Sequence, residues 1–415
     1  MADRRPTFVI VGANLTGGAA VSTLRDQGFD GRIVLIGDEI HPPYERPPLS
    51  KGYLRGQESF DDALLRPRDW YEQNDVELLL DTTASRIDPT DRVVELSAGN
   101  RIPYDKVLVA TGGRNRRLPV PGGDLEGVLY LRTVEDSDAI RSEAQPGRKA
   151  AVVGAGFIGC EVAASLRTVG VEVEVVEIFE FPLVRVVGPE LGRVYESIHR
   201  DHGVRFHFDE SVERFEGTGR VEAVVTSKGN RIECDFAVVG VGIRPATDVV
   251  EGSAVEVGNG IMVDQFCRTT VEDVYAAGDV ANHDHPLFRR QMRVEHWDNA
   301  LKQGAAAARN MMGTETPFAD PHWFWSDQYD VNLQYMGFAT EWDELVVRGS
   351  LEDRNFVGFY VKDGIVDAVV GMNRGREVRR SAGLIQSRRP VDTAVLRDED
   401  VELKKLSQSL SQQGA

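Results

Sequence analysis

The sequence predicts an α/β fold: two parallel-sheet units of the dinucleotide-binding type and a small α+β domain towards the C-terminus. Three observations predict it. Residues 7–39 and 150–177 each read as strand, glycine-rich turn, helix and strand, and residues beyond Pro317 alternate apolar and polar instead. A chain of 415 residues has room for two or three domains at roughly 150 residues each.

The first unit opens with the apolar run Thr7–Val11, a strand buried on both faces, followed at once by Gly12-Ala13-Asn14-Leu15-Thr16-Gly17. A helical stretch runs to Gly28, and a second strand, Arg32–Ile36, ends at Gly37-Asp38-Glu39. This is the Rossmann-like order, in which a helix N-terminus meets a pyrophosphate and an acid about 20 residues on meets a ribose. Asp38 or Glu39 is the acid. The middle glycine of the motif is replaced by Asn14, whose side chain is expected to crowd the ligand, so that Asn14→Gly should tighten it. Alone, this turn suits an ordinary βαβ unit equally well.

The second unit is complete. Ala150–Val153 leads into Gly154-Ala155-Gly156-Phe157-Ile158-Gly159, then a helix from Cys160 to Thr168, a strand from Val173 to Val176, and Glu177. An acid at the strand end bonds a ribose 2′-hydroxyl and repels a 2′-phosphate, so Glu177 favours NADH over NADPH. Arg185 is the nearest residue available to read a phosphate.

Between and after these units lie Ala110-Thr111-Gly112-Gly113, the G-x-G-x-R-P run from Gly240 to Pro245, and Ala277-Gly278-Asp279. Together with Tyr44-Glu45-Arg46-Pro47-Pro48-Leu49-Ser50-Lys51, Leu131-Arg132-Thr133, Glu295-His296-Trp297, Asn299-Ala300, Gln303-Gly304 and Trp325-Ser326-Asp327-Gln328, they give the chain its resemblance. Over nearly its whole length it resembles the FAD-dependent NADH:ferredoxin reductases of bacterial oxygenase systems, of the putidaredoxin reductase and biphenyl dioxygenase ferredoxin reductase kind. Apoptosis-inducing factor and monodehydroascorbate reductases share that fold.

The resemblance implies an FAD-binding domain at residues 1–113 and 245–316, an NAD(H)-binding domain at 114–244 inserted into it, and a C-terminal α+β domain at 317–415. It implies that Asp279, on the Gly278 turn, bonds the ribityl or pyrophosphate region, and that Ala110, Thr111 and Gly112 lie along the adenine half. Arg46 and Lys51 approach the isoalloxazine, and Arg132 the flavin phosphate or adenosine side. Glu295, His296 and Trp297 open a helix aimed at the flavin N1 and C2 carbonyl, where a positive dipole end favours the anionic reduced ring. Gly242 belongs to the G-x-G-x-R-P turn, and Trp325 to the flavin pocket; Trp297 and Trp325 serve equally well as core aromatics. Lys51 and Glu161 are the implied catalytic pair, an ion pair between the FAD and NAD domains beside the hydride-transfer face. Hydride passes from nicotinamide to flavin without an acid or base, so orientation and exclusion of water are what the protein supplies.

Cysteine usage narrows the chemistry. Cys160, Cys234 and Cys267 form no CxxC pair, and none precedes residue 160, so the chain has neither a zinc-site spacing nor the dithiol of the disulfide reductases. No metal is expected. Electrons are expected to leave the flavin directly, one at a time, to an iron–sulfur protein that feeds a P450 or Rieske-type oxygenase. The alternatives keep the fold but use rubredoxin, monodehydroascorbate or oxygen as acceptor, or make the chain an NADH-sensing flavoprotein like apoptosis-inducing factor.

The net charge of −18 argues against nucleic acid. No apolar run reaches the roughly 20 residues that span a bilayer. The start, Met1–Thr7, is polar and lacks a signal-peptide core, so a cytoplasmic protein without a membrane partner is expected.

The segment Trp323–Val370 reads as a small antiparallel sheet, followed by a helix near Glu377–Ser387 and a polar tail from Asp398 that is expected to be partly mobile. Arg374, Arg376, Arg379, Arg380, Arg388 and Arg389 face only Glu377 in sequence, a run that suits either an acidic ferredoxin or a solvated helix face. Arg289, Arg290 and Arg293 form the rival basic patch.

Overall fold

A computed structural model describes residues 5–412. The chain divides into two compact units. One comprises residues 5–45, Phe60–Arg114 and Ile243–His322; the other comprises Arg46–Ser59, Asn115–Gly242 and residues 323–412.

The first unit is built on a parallel five-stranded sheet. Its order is Val274–Ala276, Lys106–Val109, Thr7–Val11, Arg32–Ile36 and Val76–Leu79. Thr7–Val11 lies at the centre, so every one of its residues is buried. Side chains alternate between faces along a strand: Phe8 and Ile10 join one core, with Leu24 and Leu35, while Val9 and Val11 join another, with Val107 and Val280. A central parallel strand therefore reads as an unbroken apolar run. A four-stranded sheet follows, Val257–Gly258, Gly260–Val263, Ala281–His285 and Arg290–Arg293 in that order. Helix Trp297–Met311 then crosses helix Leu15–Asp26, and a Cβ on Gly304 would stand 2.5 Å from the Thr16 carbonyl oxygen. Only a glycine allows that approach.

The second unit repeats the plan. Its parallel sheet runs Arg205–Phe208, Glu172–Glu177, Lys149–Val153, Phe236–Val239 and Val128–Tyr130, with helix Phe157–Thr168 following the glycine turn. The expected antiparallel sheet is present in the same unit, in the order Trp323–Gln328, Val331–Gly337, Ile365–Met372, Asn355–Lys362 and Glu344–Ser350. Its inner face (Phe324, Leu333, Tyr335, Phe356, Tyr360) shares a continuous core with Val152, Val175 and Tyr195.

The expected helix at 377–387 is two short helices, Gly375–Arg380 and Ala382–Ser387. Ser381 stands between them at φ −89°, ψ −1°, and its hydroxyl donates to the Glu377 carbonyl at 2.9 Å. Most of the tail is ordered backbone, with helix Leu403–Gln412; residues 413–415 lie outside the described residues. Among the described residues no helix is long and apolar enough to cross a membrane.

Candidate active site

The glycine turn of the second unit divides its work among three glycines. A Cβ on Gly154 would meet the Gly240 carbonyl oxygen at 2.5 Å, and one on Gly159 would meet the Gly154 carbonyl oxygen at 2.0 Å. These two close the turn against the sheet. Gly156 differs: nothing lies within 4 Å of its Cβ position, which leaves open space over the start of helix Phe157–Thr168. That space is what a pyrophosphate needs to reach the helix N-terminus. Phe157 turns inwards and meets Phe324 edge-on at 4.9 Å, while Ile158 stays 47% exposed.

Glu177 is buried, and its two oxygens accept backbone N–H bonds from Ala155 at 2.5 Å and Phe179 at 3.1 Å. The carboxylate is thus fixed beside the turn, with lone pairs left for a ribose hydroxyl. Ile178, 60% exposed, supplies an apolar lip beside it. Arg185 packs over the Phe179 ring at 5.8 Å. These residues fit a dinucleotide with an unmodified ribose.

The turn of the first unit corrects one expectation. Gly12 and Gly17 close it as Gly154 and Gly159 do, with Cβ approaches of 2.2 Å to the Ala110 carbonyl oxygen and 2.0 Å to that of Gly12. Asn14, however, sits at φ −121°, ψ −169°, extended backbone that any residue adopts, and its side chain folds back as the helix N-cap. Its Oδ1 accepts from the Thr16 and Gly17 N–H groups, and its Nδ2 donates to the Ala110 carbonyl at 2.5 Å. Asn14 therefore ties the glycine turn to the Ala110–Gly112 turn, and helix capping outweighs ligand crowding at this position. Asn14→Ala is expected to cost about 1 kcal/mol of stability by the usual N-cap magnitude. The melting temperature of purified protein checks this, and Asn14→Gly is expected to bring no gain in FAD retention.

The remaining first-unit residues gather around the Gly278 turn. The Gly278 N–H donates to Gln303 Oε1 at 2.8 Å, and a Cβ on Gly278 would collide with Thr16 Oγ1 at 2.2 Å. Leu15 is buried beneath the helix start. The Asp279 carbonyl accepts from Arg293 at 3.1 Å, and Arg293 also pairs with Glu295 at 2.6 Å. Arg293 is only 8% exposed, which removes it from the rival basic patch. Thr111 donates to the Ala246 carbonyl at 2.6 Å, and Gly112 takes a φ of +65°. Of the two candidate ribose acids, Glu39 accepts from the Tyr44 hydroxyl at 2.5 Å, and Asp38 is exposed.

His296 is the N-cap residue of helix Trp297–Met311, and burial raises the pKa of Glu45 against the opposing effect of the Trp297 indole. Burial lowers the His296 pKa to about 4 against the opposing pull of Asp279, so the ring is neutral. Further along this helix, Asn299 Oδ1 and Gln303 Nε2 are buried without a protein partner. Orphaned amide atoms beside the Gly278–Asp279 turn fit a polar cofactor chain.

The second unit brings Lys51 and Glu161 together. Glu161 is 3% exposed, and its Oε2 receives Lys51 Nζ at 2.7 Å and the Ser50 hydroxyl at 2.5 Å, while Oε1 receives the Ser326 hydroxyl at 2.7 Å. A buried carboxylate persists only when such partners replace its hydration. The loop that carries Lys51 is fixed by Ser165 donating to the Ser50 carbonyl at 2.7 Å and by Ser137 donating to the Leu49 carbonyl at 2.8 Å. The Arg46 guanidinium binds the Arg132 backbone carbonyl, and the Arg132 N–H donates to Asp136 at 2.8 Å. Trp325 stacks on Trp323, centroids 5.2 Å apart, and its indole donates to Asp327 at 3.1 Å. Gly242, at φ +90°, has open space at its Cβ position.

Sequence reasoning missed Ser50, Ser326 and Trp323 as site residues, although each lies within or beside a quoted block. It also left out the distant acids that meet the arginine run. Arg374 pairs with Glu399 at 2.9 Å and Arg388 with Asp367 at 2.6 Å, so acids distant in sequence neutralise part of it; Arg376 and Arg380 remain exposed.

None of the three cysteines is available for dithiol chemistry. All are buried, and burial pushes the Cys234 thiol up to about 12 and the thiols of Cys160 and Cys267 higher still. His283, His285 and His322 cluster in the first unit with their ring nitrogens within 4.8 Å of one another. Both nitrogens of His285 are already engaged, with the Asp320 carbonyl and the Leu287 N–H.

Two parallel sheets, each with a closed glycine turn at a helix start, together with a buried Lys–Glu pair and no usable thiol, define a two-dinucleotide oxidoreductase. Residues 6–304 match the pyridine nucleotide-disulphide oxidoreductase family, and residues 323–407 match the reductase C-terminal domain. The chain belongs to this family. It is similar to the ferredoxin reductase subunit of a 5,5'-dehydrodivanillate O-demethylase from Sphingobium sp., 38% identical over 96% of this chain and 98% of that one. It is also similar to putidaredoxin reductase of Pseudomonas putida, 35% identical over 96% of each chain. Among solved structures, the covalent putidaredoxin reductase–putidaredoxin complex matches with a TM-score of 0.94 at 34% identity, covering 98% of this chain and 99% of that one. A ferredoxin reductase from Rhodopseudomonas palustris matches with a TM-score of 0.94 at 36% identity, covering 97% and 100%.

Proposed function

We propose that the chain is an NADH-dependent, FAD-containing ferredoxin reductase that passes electrons from NADH to an iron–sulfur ferredoxin serving an oxygenase. The observation that carries this reading is the buried Lys51–Glu161 pair in the same unit as a complete glycine turn, in a protein with no reactive thiol. Its similarity over nearly the whole chain to ferredoxin reductases of oxygenase systems supports it.

Bound FAD supplies the conversion of a two-electron hydride donor into single-electron steps. The protein's residues do the rest. The Gly12–Gly17 turn, Ala110–Gly112, Asp279, Asn299 and Gln303 would hold FAD. Gly154, Gly156, Gly159 and Glu177 would hold NADH, with Phe157 and Ile158 beside them. Lys51 and Glu161 would fix the Leu49–Lys51 loop beside the NADH-binding turn and keep water from it. We assign residues 1–113 and 245–316 to FAD binding, 114–244 to NAD(H) binding and 317–415 to the C-terminal domain, and place the protein in the cytoplasm. Exposed Arg376 and Arg380 give an acidic ferredoxin a positive field to approach.

Cytochrome c reduction tests the reading, measured with NADH and with NADPH, with and without ferredoxins from the same source. The expected result is a large ferredoxin-dependent rate from NADH and a kcat/KM at least about tenfold lower from NADPH, the scale of one lost charged hydrogen bond. Absence of ferredoxin stimulation would remove the ferredoxin assignment, and equal NADPH rates the role of Glu177.

A further inference from the structure

Glu161 is one end of a buried hydrogen-bond chain that reaches into the C-terminal sheet. Ser326 donates to Glu161 Oε1 at 2.7 Å and itself accepts from Gln328 Nε2 at 3.0 Å. Gln328 Oε1 stands 2.8 Å from His199 Nε2, and His199 Nδ1 stands 3.3 Å from the Tyr329 hydroxyl. The directions along this chain follow from one another. Because Gln328 gives its amide N–H to Ser326, its carbonyl oxygen is left to accept, so His199 carries its proton on Nε2. Nδ1 is then the acceptor for the Tyr329 hydroxyl. Glu161, His199, Ser326 and Gln328 are all at most 3% exposed, so the links among these four do not compete with bulk water.

We propose that Ser326, backed by Gln328 and His199, is a positioning residue for hydride transfer: it holds Oε1 of Glu161 so that Oε2 alone meets Lys51 and Ser50. The inference rests on the role proposed above for the Lys51–Glu161 pair and adds that the C-terminal sheet is part of that site.

Two features of the chain support it. A string of donors aligned one way polarises along its length, and this string ends on the carboxylate, where the polarisation strengthens the last bond. It also requires a neutral His199, and burial holds that ring to a pKa of about 4 despite the Gln328 bond, which favours the protonated form. Without Ser326, Oε1 would be a desolvated acceptor lacking its donor. The carboxylate would then rotate to share one oxygen or the other with Lys51, and the ammonium would lose its single position. Misplacement of about 1 Å at a reacting centre lowers rates by up to about 100-fold.

The experiment is anaerobic stopped-flow reduction of the FAD-loaded enzyme by NADH and by 4-deuterated NADH, for wild type, Ser326→Ala, Ser326→Thr, Gln328→Ala and Glu161→Gln. Ser326→Ala is expected to slow flavin reduction by about tenfold, within the range that misplacement allows. Its apparent NADH affinity and FAD content should stay unchanged, with an altered isotope effect. Ser326→Thr, which keeps the hydroxyl, should restore the rate, and Gln328→Ala should fall between. Combined with Glu161→Gln, Ser326→Ala should add no further loss, because both act through one carboxylate. A Ser326→Ala protein that melts earlier but reduces at the wild-type rate, with a slow Glu161→Gln, overturns the inference alone. A Glu161→Gln protein with wild-type flavin reduction removes the pair's proposed role, and the inference with it.

Discussion

Lys51→Met is expected to destabilise the protein by about 3–5 kcal/mol, because it leaves a buried carboxylate without its cation. Lys51 and Glu161 are 13% and 4% exposed at their side chains, so water cannot replace the lost partner. Ser50 and Ser326 would still donate to Glu161, which places the loss towards the lower end of that range. The double variant Lys51→Met with Glu161→Gln should regain most of the stability, since removing both charges abolishes the desolvation penalty along with the attraction. It should not regain the rate of flavin reduction by NADH. Denaturant midpoints of the two single variants and the double, set beside stopped-flow rates, separate these effects. Equal midpoints for wild type and Lys51→Met would show that the pair is solvated in solution.

Acid will unfold this protein through its histidines. Burial lowers the pKa of His283 to about 3, with help from neighbouring His285, and those of His199 and His296 to about 4. Burial also moves His285 and His322 down. The sign follows directly. In the unfolded chain these rings titrate near 6.5, so between that pH and the folded values the unfolded state binds more protons. Their stabilisation is complete above about pH 6.5 and is lost as pH falls towards about 4. Each ring contributes a slope of up to about 1.4 kcal/mol per pH unit in that window. Denaturant midpoints between pH 7.5 and 4.5 should fall steeply below 6.5, and His283→Phe should flatten the slope by about one proton. A midpoint constant from pH 6.5 to 5 would contradict the burial of these rings.

Local and periodic features were readable from sequence. The strand Thr7–Val11 is apolar throughout because both its faces are covered, and the glycine turns show because steric limits act over a few residues. Asn14 was misread although its signal was local too: asparagine before a helix is a preferred cap, and that preference competes with the glycine motif. Other features depend on long-range pairing and left no trace in spacing. Ser326 meets Glu161 across 165 positions, and His199 meets Gln328 across 129. The arginine run looked opposed by Glu377 alone because Asp367, in strand Ile365–Met372, and Glu399, beyond helix Thr393–Arg397, approach it only in the folded chain. Lys51 and Glu161, 110 positions apart, were paired through resemblance rather than through any pattern of their own.

The burial of all three thiols bears on the life of such a protein beside oxygen chemistry. A thiol with a pKa near 12 exposes a thiolate fraction on the order of one part in 100,000 at neutral pH, and peroxide attacks only the thiolate. An oxygenase that misfires releases peroxide close to its electron donor. This reductase presents that oxidant with no accessible thiolate, so it should outlast uncoupled turnover that would inactivate a dithiol enzyme of the same architecture.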